Sequence, residues 1–436
     1  MERKIMNNLL DWKNNPKRMP LVIHGARQVG KTHITLSFGK KHYQNTVYFN
    51  MENATELGAI FERDLNPERI IKELSLFSGE SIHKKETLII FDEVQALERA
   101  LTALKYFQED APEYHIIAAS SLLGVAINRE KYSFPVGKVD IMTMYPLDFE
   151  EFLWANGQTE MCEAIKESFK SFTPFSFHDR ALDWYKAYLV VGGMPRAVLE
   201  YVETKDFNFV VAAQKTLNDA YIADMAKYAS PKETTKIMAA FNSIPAQLAK
   251  ENRKFQYKTI KSGARAHEYE TPLDWLNSAG MIHKCVRVTE GKIPVMAYAD
   301  FASFKVYMMD VGLLCSKIGI SANMIINSPS SFDGFKGALA ENYIIQAMVT
   351  NGFEPFYWST SNTAEVDFVY QDKDGYVIPL ELKSSDNVRA KSLNLFIQKY
   401  NPPYAVRVST KNFGYENNIK SIPLYALFCL KMEGEM

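Results

Sequence analysis

The chain has 436 residues, 47% of them hydrophobic and 23% charged, which excludes a disordered or fibrous protein and exceeds what one ordinary core can bury. The 50 lysines and arginines face 51 acids, a net charge of -1, so no global basic field marks a nucleic-acid partner. Four scattered cysteines, Cys162, Cys285, Cys315 and Cys429, exclude a disulfide framework and a zinc knuckle and read as small buried apolar residues.

The N-terminus lacks the apolar stretch of a signal peptide, and the apolar runs elsewhere fall short of spanning length. The expected address is therefore cytoplasmic, without a membrane partner. Residues 1–20 predict a short amphipathic helix with Ile5, Leu9 and Trp12 on the face that packs.

Leu21-Val22-Ile23 predicts a buried strand leading straight into Gly25-Ala26-Arg27-Gln28-Val29-Gly30-Lys31-Thr32, with a helical stretch from His33 to Lys41 behind it. This is G-x-x-x-x-G-K-T in the strand-loop-helix context that gives it meaning. The glycines let backbone N–H groups curl around phosphates at a helix N-terminus, where the helix dipole favours negative charge. Lys31 is placed to reach the β and γ phosphates, and the Thr32 hydroxyl to hold magnesium.

A second strand is predicted at Thr46 to Asn50 and a third at Leu88 to Phe91, the latter ending in Asp92-Glu93. About sixty residues after a P-loop, an apolar strand ending in two acids reads as the second nucleotide motif of an ATPase. Asp92 is expected to orient magnesium and Glu93 to polarise the attacking water. A fourth strand, His115 to Ala119, delivers Ser120 and Ser121 to the same sheet edge. One hydroxyl is expected to sense the γ phosphate and the other to cap the following turn. The alternation of strands and helices predicts a parallel sheet.

From Tyr145 to about Tyr228 the pattern is helical, with Gly192-Gly193-Met194-Pro195 as a sharp turn that connects helices or serves as a hinge. Residues 235–300 alternate short helices with an expected β wing, Met281 to Val288 followed by Val295 to Tyr298. The cluster Arg253, Lys254, Lys258, Lys261 and Arg265 suits phosphate contacts. Glu268, Glu270 and Asp274 nearby keep a solvated face or a protein interface open as the alternative.

Beyond Gly337 a helix is expected to carry Glu341, a strand from Thr363 to Tyr370 to carry Asp367, and a strand from Tyr376 to end in Glu381-Leu382-Lys383. Residues i and i+2 of a strand share a face, so Glu381 and Lys383 point together. An acid on a helix, an acid on one strand and E-x-K on the next resemble the layout of PD-(D/E)XK nucleases. That layout assigns Asp367 and Glu381 to one or two magnesium ions, Glu341 to their support, and Lys383 to the attacking water. A hairpin with solvated charges on one face is the alternative. Ala390 to Tyr400 is amphipathic and expected to cover the sheet.

Taken together, the stretches G-A-R-Q-V-G-K-T, F-D-E-V-Q at Phe91 to Gln95, S-S-L-L at Ser120 to Leu123, and Y-P-L-D-F-E-E-F-L at Tyr145 to Leu153 resemble a known family. So do G-G-M-P at Gly192 to Pro195, K-V-Y-M-M-D-V-G-L-L at Lys305 to Leu314, and G-A-L-A-E-N-Y at Gly337 to Tyr343. The family is the prokaryotic AAA+ type P-loop ATPases with a C-terminal domain of unknown function resembling PD-(D/E)XK nucleases. The resemblance implies an α/β chain: an ATPase domain over residues 1–150, a helical lid over 151–234, a winged-helix-like module over 235–312 and a nuclease-like domain over 313–436. It implies ATP rather than GTP, and an ATPase whose nucleotide state controls the C-terminal domain on DNA or RNA. A switch that binds DNA or a protein partner without cutting, and an oligomer that completes its own site, are the alternatives. Gly137-Lys138 stands where relatives often have Gly-Arg, and lysine lacks the planar fork of arginine. Arg129 and Arg196 are therefore the candidates for an arginine finger.

Overall fold

A computed structural model describes residues 1–52, 55–121, 135–250, 253–327, 333–360, 364–383 and 391–432. It divides into two compact units, Glu2–Tyr145 with Ser278–Gly280, and Pro146–Asn277 with Met281–Met436. Among the described residues, no helix is long and apolar enough to cross a membrane.

In the first unit the expected opening helix runs over Ile5–Asn14 and buries Leu9 and Trp12. Five strands follow: β1 Leu21–His24, β2 Asn45–Asn50, β3 Thr87–Asp92, β4 His115–Ser120 and β5 Asp140–Thr143. Every position of β3 and β4 is buried, which is why both read as unbroken apolar runs. Strand β5 was not anticipated, because its four residues lie at an edge and none is fully buried.

The sheet order is β2-β3-β4-β1-β5 and each neighbouring pair is parallel. All carboxyl ends therefore meet at one edge. Strand β4 lies between β1, which feeds the P-loop, and β3, which ends at Asp92. Ser120 and Ser121 thus emerge between the phosphate loop and the two acids. The helices close one face of the sheet with Phe61, Ile70, Leu74, Leu104 and Phe107 against Val22, Ile89 and Ile116.

The second unit opens with the expected helical run, as helices Phe149–Ala155, Thr159–Ser171, His178–Val191, Pro195–Thr204 and Phe207–Tyr228. Asp148 and Glu151 form a capping box at its start. The Gly192-Pro195 turn is wedged into its surroundings. A Cβ on Gly193 would stand 1.9 Å from the Leu147 carbonyl oxygen, and one on Gly312 would stand 2.5 Å from that of Val191. The Gly193 N–H donates to Asp310 at 2.6 Å, and Leu147 N–H donates to the Gly193 carbonyl at 2.7 Å. Three of the sequence stretches singled out above, around Leu147, Gly193 and Asp310, therefore lock into one junction.

Eight strands form the second sheet: β6 Ile282–Val288, β7 Ala299–Met308, β8 Phe356–Ser359, β9 Glu365–Gln371, β10 Val377–Lys383, β11 Ala405–Ser409, β12 Gly414–Glu416 and β13 Ile419–Pro423. Their order is β12-β13-β11-β10-β9-β8-β6-β7. The expected wing differs in its second half. Val295–Tyr298 is a tight turn closed by Ala297 N–H on the Pro294 carbonyl, and the strand begins at Ala299. Pro294 has no N–H to give a ladder, so the segment behind it coils before it extends. Strand β6 pairs antiparallel with β7 and parallel with β8, which makes this ribbon the edge of the same sheet that holds β9 and β10. The helix Asp333–Thr350 precedes β8, and Lys391–Tyr400 links β10 to its parallel neighbour β11. Leu393 and Phe396 bury the latter helix, with Phe396 edge-on to Trp358.

Candidate functional site

The loop after β1 has the backbone that its glycines predict. Gly25 sits at φ +149, where a Cβ would come within 2.1 Å of the Met144 carbonyl oxygen. Gly30 is left-handed, with φ 101, and precedes the first turn of the helix Lys31–His42. Ala26 and Val29 are buried, Gln28 takes a left-handed φ of 60, and Arg27 reaches Ser121 Oγ and Glu52, each at 3.4 Å. The Lys31 side chain folds back over the loop and donates to the carbonyls of Gly25 and Ala26, both at 2.8 Å. Burial pushes its ammonium down to about 8, with Glu93 and Asp92 opposing that shift.

The Thr32 hydroxyl donates to Asp92 Oδ2 at 2.7 Å, and the Tyr48 hydroxyl donates to the same oxygen at 2.8 Å. Hard oxygen donors of this kind suit magnesium, which keeps waters and phosphate oxygens and needs only one or two carboxylates. The residues at this edge fit the ion and the nucleotide. Glu93 follows at φ 50, ψ 44, a left-handed placement for a residue with a side chain, of the sort that concentrates at functional sites. Its Oε2 accepts from Ser121 Oγ at 2.8 Å and from Gln95 Nε2. Gln95 also donates to Ser121 Oγ at 3.2 Å and accepts from Ser120 Oγ at 2.8 Å.

The structure therefore brings Lys31, Thr32, Asp92, Glu93, Ser120 and Ser121 together at this edge. Gln95 and Tyr48 complete the arrangement and were not anticipated. Gln95 belongs to the quoted F-D-E-V-Q stretch, which hinted at it; Tyr48 sits in a strand with no local signal. Of the arginine candidates, Arg196 is exposed on the first turn of its helix and Arg129 lies outside the described residues. Lys138 pairs with Glu109 at 3.0 Å.

In the second unit, the Asp333–Thr350 helix buries Glu341, β9 carries Glu365 and Asp367, and β10 carries Glu381 and Lys383. Lys383 Nζ donates to Glu381 Oε1 at 3.0 Å, while Glu381 Oε2 is buried with no hydrogen-bond donor among the described residues. Asp367 Oδ2 accepts the Leu382 N–H at 2.8 Å. Burial pushes the Asp367 carboxyl up to about 7, with Glu341 adding to the shift and Lys305 opposing it. Glu341 accepts from Arg253 through Oε1 and from the Tyr307 hydroxyl through Oε2 at 2.8 Å. Arg253 is thus turned to Glu341 rather than to a phosphate-facing surface, whereas Lys258, Lys261 and Arg265 are exposed.

Lys305 Nζ, 1% exposed, lies 2.7 Å from Glu365 Oε1 and 3.8 Å from Glu341 Oε2. Among the described residues, no three acid, histidine or cysteine side chains are grouped to hold a metal ion. Glu341 is matched by Arg253 and Lys305, and one oxygen of Glu381 by Lys383, so a divalent ion entering here would have to displace cations of the chain.

A scan against protein families matches residues 17–153 to the AAA domain, and residues 182–324 and 336–427 to two domains of unknown function, DUF8612 and DUF4143. No curated protein matches the chain. Among solved structures, a Walker-type ATPase of Pyrococcus abyssi is similar at 14% identity over 73% of this chain and 95% of that one, with a TM-score of 0.45. The ORC2 protein of Aeropyrum pernix is similar at 15% identity over 77% and 91%, with a TM-score of 0.36. The RuvB Holliday junction branch migration motor of Thermotoga maritima is similar at 14% identity over 65% and 89%, with a TM-score of 0.29. At TM-scores this low the three likenesses carry no functional weight. The family match and the loop geometry agree without them: residues 17–153 form an AAA-type P-loop ATPase domain.

Proposed function

We propose that the chain binds and hydrolyses ATP and that its nucleotide state governs a C-terminal nuclease-like domain that engages DNA without cutting it. The ATPase half is carried by one observation: Glu93, held by Ser121 and Gln95, stands beside the Thr32–Asp92 pair at the end of the P-loop. The backbone N–H groups of Gly25 to Thr32 and the Lys31 ammonium bind the phosphates. Magnesium bound through Thr32 and Asp92 would neutralise charge on the β and γ oxygens. Glu93 accepts the proton of the attacking water, and Ser121 with Gln95 fixes where its carboxylate points.

The division into an ATPase domain, a helical lid, a winged-helix-like module and a nuclease-like domain belongs to the same proposal. Helices Pro231–Leu248 and Ala266–Ser278 followed by the β6–β7 ribbon keep the element order of a winged helix, which supports the third part. For the fourth, the succession of the Asp333–Thr350 helix, antiparallel β8, β9 and β10, the Lys391–Tyr400 helix and parallel β11 supports a nuclease-like fold. Exposed Lys258, Lys261 and Arg265 support contact with a phosphate backbone.

Cutting would require Asp367 and Glu381, supported by Glu341, to hold magnesium, with Lys383 acting on water. The pairing of Glu341 with Arg253 and of Glu365 with Lys305 favours binding without cleavage. The purified chain, mixed with plasmid and with oligonucleotides in magnesium or manganese, with and without ATP, tests the proposal. Salt-dependent binding that requires ATP and leaves the DNA intact supports it. Affinity indifferent to nucleotide would sink the switch, and cutting abolished by Lys383→Ala would restore the nuclease.

A further inference from the structure

Strand β7 places Lys305 and Tyr307 on one face, two residues apart, and β9 does the same with Glu365 and Asp367. Both faces turn toward Glu341 on the Asp333–Thr350 helix. Its carboxylate takes Arg253 on one oxygen and Tyr307 with Lys305 on the other. Lys305 also pairs with Glu365 at 2.7 Å, and its ammonium lies 5.0 Å from the centre of the Tyr357 ring.

Among the described residues, and counting the Glu381–Lys383 pair, three cations stand against four carboxylates in this region. A divalent ion enters a site when clustered carboxylate charge repays the loss of its water shell. Here Lys305 and Arg253 have already been brought out of water to do that work from within the chain. Lys305 is 1% exposed, and its Nζ stands 2.7 Å from Glu365 Oε1 and 3.8 Å from Glu341 Oε2, the geometry of a buried ion pair. This ammonium already holds oxygens of Glu341 and Glu365, on the face of β9 that also carries Asp367, and unlike magnesium it is tethered.

We infer that Lys305 is the resident cation of this cluster, taking the place that a divalent ion holds in a PD-(D/E)XK site, so that the C-terminal domain folds and works without metal. This deepens the non-cutting switch proposed above and rests on it for what the domain does. It also gives a purpose to the K-V-Y stretch from Lys305 to Tyr307, which the nucleotide site does not use.

The test is a Mn2+ titration of the full chain without nucleotide, followed by electron paramagnetic resonance of the free ion. In the wild type, Asp367→Asn should leave manganese uptake unchanged. Lys305→Met keeps a long apolar side chain and drops the charge; it should gain one manganese per chain and a manganese-dependent rise in Tm, both lost again in Lys305→Met with Asp367→Asn. A wild-type manganese site that Asp367→Asn removes overturns the inference, and this comparison decides even if Lys305→Met does not fold. No nucleic acid enters the experiment, so a failure to bind DNA would sink the switch and leave this inference standing.

Discussion

The Ser121 hydroxyl donates to Glu93 Oε2 at 2.8 Å, and Gln95 donates to the same oxygen from the turn that follows β3. Two donors on one carboxylate oxygen set its direction while the other oxygen remains for water. Gln95→Ala removes one donor to a charged group, a loss on the order of 1.5 kcal/mol, and should lower kcat roughly tenfold. KM for ATP and the Tm should change little. A steady-state assay checks this, and a rise in KM at unchanged kcat would place Gln95 in nucleotide binding instead.

Lys31 supplies a pH dependence. Its folded pKa, about 8, lies below the ordinary 10.5, so the unfolded chain holds more protons between those values and this group's contribution to stability rises with pH across that window. Phosphate binding needs the ammonium. The ADP affinity should therefore stay flat up to about pH 8 and then fall, approaching roughly tenfold per unit as a single group titrates. Fluorescence titration from pH 7 to 9.5 measures it, and Lys31→Arg, charged throughout, should lose the inflection.

The junction at Gly193 makes a prediction about stability alone. An added methyl would collide with the Leu147 carbonyl at 1.9 Å, and backbone on both sides is tied by hydrogen bonds, so it has little room to yield. Gly193→Ala should cost about 3 kcal/mol in urea unfolding, or prevent folding outright. An unchanged midpoint would mean that the turn is pliable, as a hinge would be.

Much of the ATPase domain was legible in the sequence because its signals are contiguous. Gly25 to Thr32 spans eight residues, and β3 and β4 are buried on both faces and so are continuously apolar. Strand β5, an edge strand of four residues, carries no such signal. In the second unit, alternation exposed Glu381 and Lys383, but the cations that matter most to Glu341 come from elsewhere. Arg253 lies 88 positions away, and Lys305 arrives on β7, which begins at Ala299, past the expected wing strand of Val295 to Tyr298. No local pattern joins such residues: Lys305 sits on β7, Glu365 on β9 and Glu341 on the Asp333–Thr350 helix, and the tertiary fold brings them together. The same holds for Tyr48, 44 positions from the carboxylate that it contacts.

The central claim is that Glu93 polarises water for ATP hydrolysis at the P-loop. Release of labelled γ phosphate, measured beside ATP binding for the wild type, Lys31→Ala and Glu93→Gln, tests it most directly. The wild type should hydrolyse ATP, Lys31→Ala should neither bind nor hydrolyse, and Glu93→Gln should bind normally while losing about 10²- to 10⁴-fold in rate. Hydrolysis by Glu93→Gln at the wild-type rate would contradict the account.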